Sequence, residues 1–390
     1  MNAPERGFPD EEYRARLRRA QSAMVEAGLD ALLVTTEADV RYFTGFLTRF
    51  WESPTRPWFI VVPAVGLPIA VIPSIGAPLM GRTWLHDVRS WRAPDAEDDG
   101  VSLLGEALRE VAGPAGIVGT PMGPETHLRM PLGDYARLAE RIAPMRLRSD
   151  AGLVQALRRV KSDREIAKIH HACAIADRAF AHVPEIAGPG VPLSTVARRF
   201  QALCLEEGAD WVPYLACPCD AGGYADVISP ADDRPLAHGD VLMLDTGLVH
   251  DGHFCDFDRN FAIGHATPAT RDAHRRLIEA VDAAMTLARP GARACDLFHA
   301  MDAIVTGGAG GSDTGRLGHG LGTQLTEGPS LVPGDTTRLE PGMVLTLEPG
   351  IEVSRGRILV HEENIVIRET GAEFLSTPAA PGIVVLGAAG

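Results

Sequence analysis

The stretch Val241–Gly264, VLMLDTGLVHDGHFCDFDRNFAIG, limits what this chain can fold into more than any other. Two apolar runs meet at Asp251-Gly252, a dipeptide suited to the positive φ angles of a two-residue hairpin turn. If residues 250 and 253 close that turn, position 245 lies opposite 258 and position 247 opposite 256. Side chains alternate along a strand, so Asp245, Asp256 and Asp258 share one face. Three carboxylates that close repel strongly unless a cation neutralises them or a proton is retained. A buried strand rarely carries even one unpaired carboxylate.

The rest of the chain supplies a two-part frame. At 390 residues it is too long for one ordinary core. Residues 1–150 alternate helix and strand: DEEYRARLRRAQSAMVEAGL is an amphipathic helix, ALLVTT a buried strand, and PWFIVVPAVGLPIAVIPS two strands about a turn. This reads as an α/β domain. From 151 to 390 a long helical region, AGLVQALRRVKSDREIAKIHHACAIADRAFAHV, and further helices accompany the hairpin and the later strands MVLTLEPGI and RILVHEENIVI. Helices segregated from an antiparallel sheet make this second domain α+β.

Composition excludes several classes of function. The formal net charge of −14 and the lack of a basic stripe argue against nucleic acid or an anionic membrane as partner. No apolar run reaches the length of a membrane span, and the charged start MNAPERGFPDEEYRARLRR lacks a signal-peptide core. The six scattered cysteines read as reduced thiols, so a cytoplasmic protein is expected.

More acid and imidazole follows the hairpin. In ILVHEENIVI, His361 and Glu363 share one face while Glu362 and Asn364 take the other. Glu348 ends the strand TLEPG, and His319 sits between glycines in GHGLG, where backbone can approach a ligand closely. Hard oxygen donors with one imidazole suit Mn, Fe, Co or Zn, bound as one ion or two. Singly, each residue has an ordinary structural reading. Their shared face and ordered spacing argue against coincidence.

The order LDTG, DFDRN, GHGLG, LEPG and HEENIVI resembles the pita-bread metallopeptidases: methionine aminopeptidase, aminopeptidase P, prolidase and their metal-free relative creatinase. The resemblance covers essentially the whole chain. It implies a creatinase/prolidase-type N-terminal domain followed by a pita-bread catalytic domain, in a homodimer. It further implies metal ligation by Asp245, Asp256, His319, Glu348 and Glu363, with Asp256 and Glu363 bridging two ions.

The chain departs from that pattern at the residues that handle a peptide. Two histidines of the family peptidases are replaced, by Ile228 and by Thr326 before Glu327. Neither replacement moves a proton near neutral pH as imidazole can. A usual Thr is Asp258, and the Arg usual two residues before the last Glu ligand is His361. With CDFDRN, this combination is most similar to the dimethylsulfoniopropionate lyases of the same fold. The implied reaction is metal-assisted C–S cleavage of a small carboxylate substrate, with Asp258 as base and Glu327 and His361 as rivals. Trp51 and Trp58 could cage a sulfonium, and Arg56 could hold a carboxylate in the dimer partner's site. The alternatives are an Xaa-Pro dipeptidase or aminopeptidase and a catalytically altered binding protein.

Overall fold

In the computed structural model, which describes residues 3–53, 56–311 and 315–387, the chain divides into two compact units, Glu5–Arg158 and the remainder from Arg159. The expected boundary at residue 150 falls ahead of the helix Leu153–Arg159, most of which stays with the first unit. The long helical region expected around it is interrupted. Its second part, Asp163–Ala181, starts afresh at Ser162, whose hydroxyl accepts from the Glu165 N–H while the Glu165 carboxylate accepts from the Ser162 N–H. This capping box satisfies two backbone donors that a helix start leaves open.

The first unit is a six-stranded mixed sheet built from β1 (Ala31–Val34), β2 (Phe59–Pro63), β3 (Ile69–Pro73), β4 (Asp87–Trp91), β5 (Ile117–Thr120) and β6 (Arg146–Ser149), in the order β4-β3-β2-β1-β5-β6. The described aromatic residues of its segment 42–58 pack largely on one another. Trp58 is a core residue, 1% exposed, with its ring 5.2 Å from Phe46 and 5.7 Å from Trp51. A Cβ at Gly76 would lie 2.1 Å from the Trp58 ring, so that glycine is what makes room for it. Tyr42 and Phe43 are equally interior. Trp51 lies under the Arg129 guanidinium at 5.1 Å, and Arg56 stacks over Phe50 at 5.5 Å.

The second unit carries two sheets. The first joins β7 (Trp211–Ala216), β8 (Cys219–Ala221), β9 (Asp240–His250), β10 (His253–Phe254), β11 (Phe257–Ile263) and, at its edge, β19 (Val384–Leu386). The second has the order β13-β12-β14-β17-β18, from β12 (His319–Gly320), β13 (Glu327–Ser330), β14 (Val344–Leu347), β17 (Glu363–Arg368) and β18 (Gly371–Phe374). Between β14 and β17 in sequence, β15 (Gly350–Ser354) and β16 (Arg357–Val360) form a separate ribbon. The hairpin turn falls at Asp251-Gly252, where both residues have positive φ, and His253 pairs with His250. Asp258 then stands opposite Asp245, the register expected from the turn.

Each sheet hides one face under helices. Leu242, Leu244, Phe257 and Phe261 of the first pack with helices Asp163–Ala181 and Leu193–Glu206. Leu345, Leu347, Ile365 and Ile367 of the second pack with helices Pro268–Leu287 and Ala294–Val305. Strand alternation puts Asp245 and Asp258 on the other face of the first sheet, and Thr346 and Asn364 on the other face of the second. No described helix is long and apolar enough to cross a membrane.

Candidate metal centre

Asp256, His319 and Glu362 converge, each offering a donor atom within 4.8 Å of the others. His319 is held on β12 between two tight glycines. Gly318 has a φ of +135°, and a Cβ there would lie 2.3 Å from the Thr346 carbonyl oxygen; one on Gly320 would lie 2.3 Å from the Gly328 carbonyl. No other residue fits either place. The His319 backbone N–H donates to Thr346 Oγ1 at 3.1 Å, and its Nδ1 lies 2.9 Å from the Gly320 carbonyl oxygen.

That carbonyl can only accept, so Nδ1 carries the ring proton and Nε2 presents a bare lone pair. Burial keeps the ring neutral, lowering its pKa to about 4. Nε2 nevertheless points at Asp256 Oδ2 from 3.5 Å. Two acceptors facing each other need a cation or a proton between them.

The surrounding acid sharpens that demand. Asp245, Asp256, Asp258 and Glu362 are all buried. Asp245 Oδ1, Asp258 Oδ2 and Glu362 Oε1 have no hydrogen-bond partner. Burial, then mutual repulsion, pushes the carboxyls of Asp245, Asp256 and Glu362 well above their usual range, and Glu348 up to about 7. Such a group is unfavourable as anions alone and fits a hard divalent cation.

Glu363, expected as the last ligand, faces the other way. Its carboxylate takes Arg259 Nη2 at 3.0 Å, His361 Nε2 at 3.1 Å, the Ala379 N–H at 2.8 Å and the Ser376 hydroxyl. Burial alone would raise its pKa, yet Arg259, His361 and Ser376 hold it at about 2. The register explains the exchange. Leu347 pairs with Glu363 and Thr346 with Asn364, so one step further Glu348 stands opposite Glu362 on the acidic face. The face pairing of His361 with Glu363 is as expected from strand alternation; which face meets the cluster is not. The alignment of β14 with β17, written in neither motif, is the signal that finds Glu362.

The rival bases separate by their partners. Glu327 is fully occupied: Oε2 accepts from Lys161 Nζ at 3.0 Å, and Oε1 from the N–H groups of Thr323 and Gln324 at 3.0 and 3.2 Å. It braces the loop after His319 and is not free to take a proton. His361 bridges Glu363 and Asp258, with Nδ1 3.4 Å from Asp258 Oδ1. Asp258 Oδ1 also accepts from the Glu362 N–H at 3.1 Å. Burial raises the Asp258 carboxyl, against the pull of His361. Ile228 is 76% exposed on its loop and brings no polar group to the cluster.

Residues 167–369 match the family model described as metallopeptidase family M24. The chain belongs to the M24 metallopeptidases. Residues 16–160 match the creatinase/prolidase N-terminal domain. The probable dipeptidase PepE of Mycobacterium tuberculosis is 31% identical over 372 residues, covering 94% of this chain and 95% of that protein. The uncharacterized peptidase YqhT of Bacillus subtilis is 27% identical over 91% of this chain and 96% of its own. Among solved structures, dipeptidase PepE from Mycobacterium ulcerans superposes with a TM-score of 0.84 at 27% identity, covering 98% of this chain and 100% of that one. A prolidase from Thermococcus sibiricus has a TM-score of 0.85 at 23% identity over 96% and 99% of the two chains. The creatinase-type first domain and pita-bread second domain are thus those of M24 enzymes, which use divalent metals.

Proposed function

We propose that this M24 enzyme is a metal-dependent hydrolase of small peptides, of the dipeptidase type. The carrying observation is the bare His319 Nε2 facing Asp256 within a buried carboxylate cluster, on a chain similar end to end to a probable dipeptidase. Asp245, Asp256, His319, Glu348 and Glu362 are the residues we assign to hold the metal, with Mn, Fe, Co or Zn as candidates. A divalent cation bound there would polarise a carbonyl and acidify a water.

The chain's own residues do the rest. The Gly320 carbonyl fixes the His319 tautomer, and the Glu362 N–H holds Asp258 by one oxygen, with His361 Nδ1 3.4 Å from that same oxygen. The other oxygen, Oδ2, has no partner and is available to take a proton from water or substrate. Glu327 keeps the loop after His319 closed.

Metal-loaded protein incubated with Xaa-Pro and other dipeptides should release free amino acids. Full metal occupancy with no release from any dipeptide would sink this reading.

A second reading rests on Ile228 and Thr326, which stand where the family's peptide-handling histidines are expected. It is the elimination reaction: proton removal by Asp258 from a small carboxylate, with dimethylsulfoniopropionate the first substrate to try. Dimethyl sulfide in the headspace would establish it over hydrolysis. A purified chain that takes up no Mn, Fe, Co or Zn would instead point to a binding protein. The expected homodimer, with Arg56 reaching a partner's site, is tested by sedimentation and by loss of substrate affinity in Arg56→Ala.

A further inference from the structure

Asp256 reaches the metal centre from a stretch of strand whose outer edge has no neighbouring strand. The Cys255 N–H before it donates to the Leu248 carbonyl at 3.1 Å, toward β9. Backbone groups alternate in direction along an antiparallel strand, so the N–H and carbonyl of Asp256 point away from β9. On that side β19 pairs only with Phe261, Ala262 and Ile263. Two buried backbone groups left open there would cost free energy.

One side chain closes the gap. Asn364 Oδ1 accepts the Asp256 N–H at 2.9 Å, and Asn364 Nδ2 donates to the Asp256 carbonyl. A carboxamide offers a donor and an acceptor, as a peptide group does, and here it stands in for the missing strand. The same Oδ1 accepts from the Cys173 thiol, 3.3 Å away, which burial keeps protonated. The Asn364 backbone is anchored as well. Its N–H donates to Ser376 Oγ at 3.0 Å, and its carbonyl accepts the Leu375 N–H at 2.8 Å.

These backbone bonds run away from β14, where Asn364 pairs with Thr346. A pair without mutual backbone bonds is the kind whose side chains approach most closely. Thr346 Oγ1 accepts the His319 N–H at 3.1 Å. One cross-strand pair thus grips, by their backbones, the two residues whose donor atoms face each other across 3.5 Å. Glu362 shares the face of Asn364, so the strand that brings one donor also fixes another from the first sheet.

We propose that the pair Thr346–Asn364 is the positioning device of the metal centre. The two side chains set the gap between His319 Nε2 and Asp256 Oδ2, and with it the affinity for the ion, without offering a donor themselves. This rests on the metal-dependent reading above, and not on which substrate the metal serves.

Cobalt(II) is the probe, because its visible absorption reports the geometry of its donors and its affinity is read by competition with a chelator. Asn364→Ala should bind it about ten- to a hundredfold more weakly than the wild-type chain, with an altered absorption band. Thr346→Val has nearly the same shape without the acceptor, and should also weaken binding about tenfold. It answers the question by itself should Asn364→Ala fail to fold. Cys173→Ala is the control. It removes a buried contact to the same amide, so it should lower the melting temperature and leave affinity and spectrum unchanged. A lower melting temperature with wild-type affinity and spectrum, in Asn364→Ala or in Thr346→Val, would overturn the proposal. Equal weakening by Cys173→Ala would do the same. A wild-type chain that takes up no cobalt(II) overturns the metal-dependent reading, and the proposal with it.

Discussion

Exchange of Glu362 for Gln is expected to abolish metal uptake, measured as metal per chain after dialysis. Exchange of Glu363 for Gln should leave metal content unchanged. It should instead cost about 2 kcal/mol of stability, because the part-buried Arg259 loses its anion; the denaturation midpoint reads that loss. Asp258→Asn should keep the metal and lower turnover by about a hundredfold or more, the range for a lost general base. Loss of metal in that variant would make Asp258 a ligand instead. At this scale the sequence is legible up to a point. Strand alternation groups the three aspartates and pairs His361 with Glu363, while the family resemblance is what joins His319 to Asp256. The expectation of Glu363 as the inward glutamate fails, with Glu362 in its place, because the hydrogen-bond register between β14 and β17 decides which one turns inward.

The elements that hold the centre are short and tightly fitted. Gly318→Ala would need a residue at φ +135° with its Cβ against the Thr346 carbonyl. The expected result is displacement of His319 and at least tenfold weaker metal binding, measured by competition with a chelator. The β9–β11 hairpin is readable from sequence down to its partners, because Asp251-Gly252 fixes the turn and the turn fixes the register. The aromatic run around Trp51 and Trp58 is not readable in this way. Sequence shows that these rings are close in the chain, whereas only the packing around Gly76 shows Trp58 facing inward.

Over the whole molecule, the crowded carboxylates make stability depend on metal and on pH in opposite senses. Without metal, Glu348 keeps its proton in the folded chain up to about pH 7, against an ordinary value of 4.5. Between these values the folded chain binds more protons than the unfolded one, so stability falls as pH rises. The melting temperature of the metal-free protein should therefore increase on acidification from about pH 7 to about pH 5. With metal bound, the carboxylates must ionise and protons compete with the ion, so acidification should lower it. Thermal melts with and without chelator check both slopes, and parallel curves would refute the account. The division into an α/β and an α+β part was legible from periodicity alone. The face-to-face placement of acid on two separate sheets was not, because it depends on pairings between distant segments.

That distance has a kinetic consequence. Asp258 accepts from the backbone of Glu362, 104 positions further along the chain. During synthesis the hairpin with its aspartates is made long before the strand that completes the ring of donors. The full set of donors therefore exists only once Glu362 has been made and the two sheets have met, and tight capture of an ion is expected to follow that meeting rather than precede it.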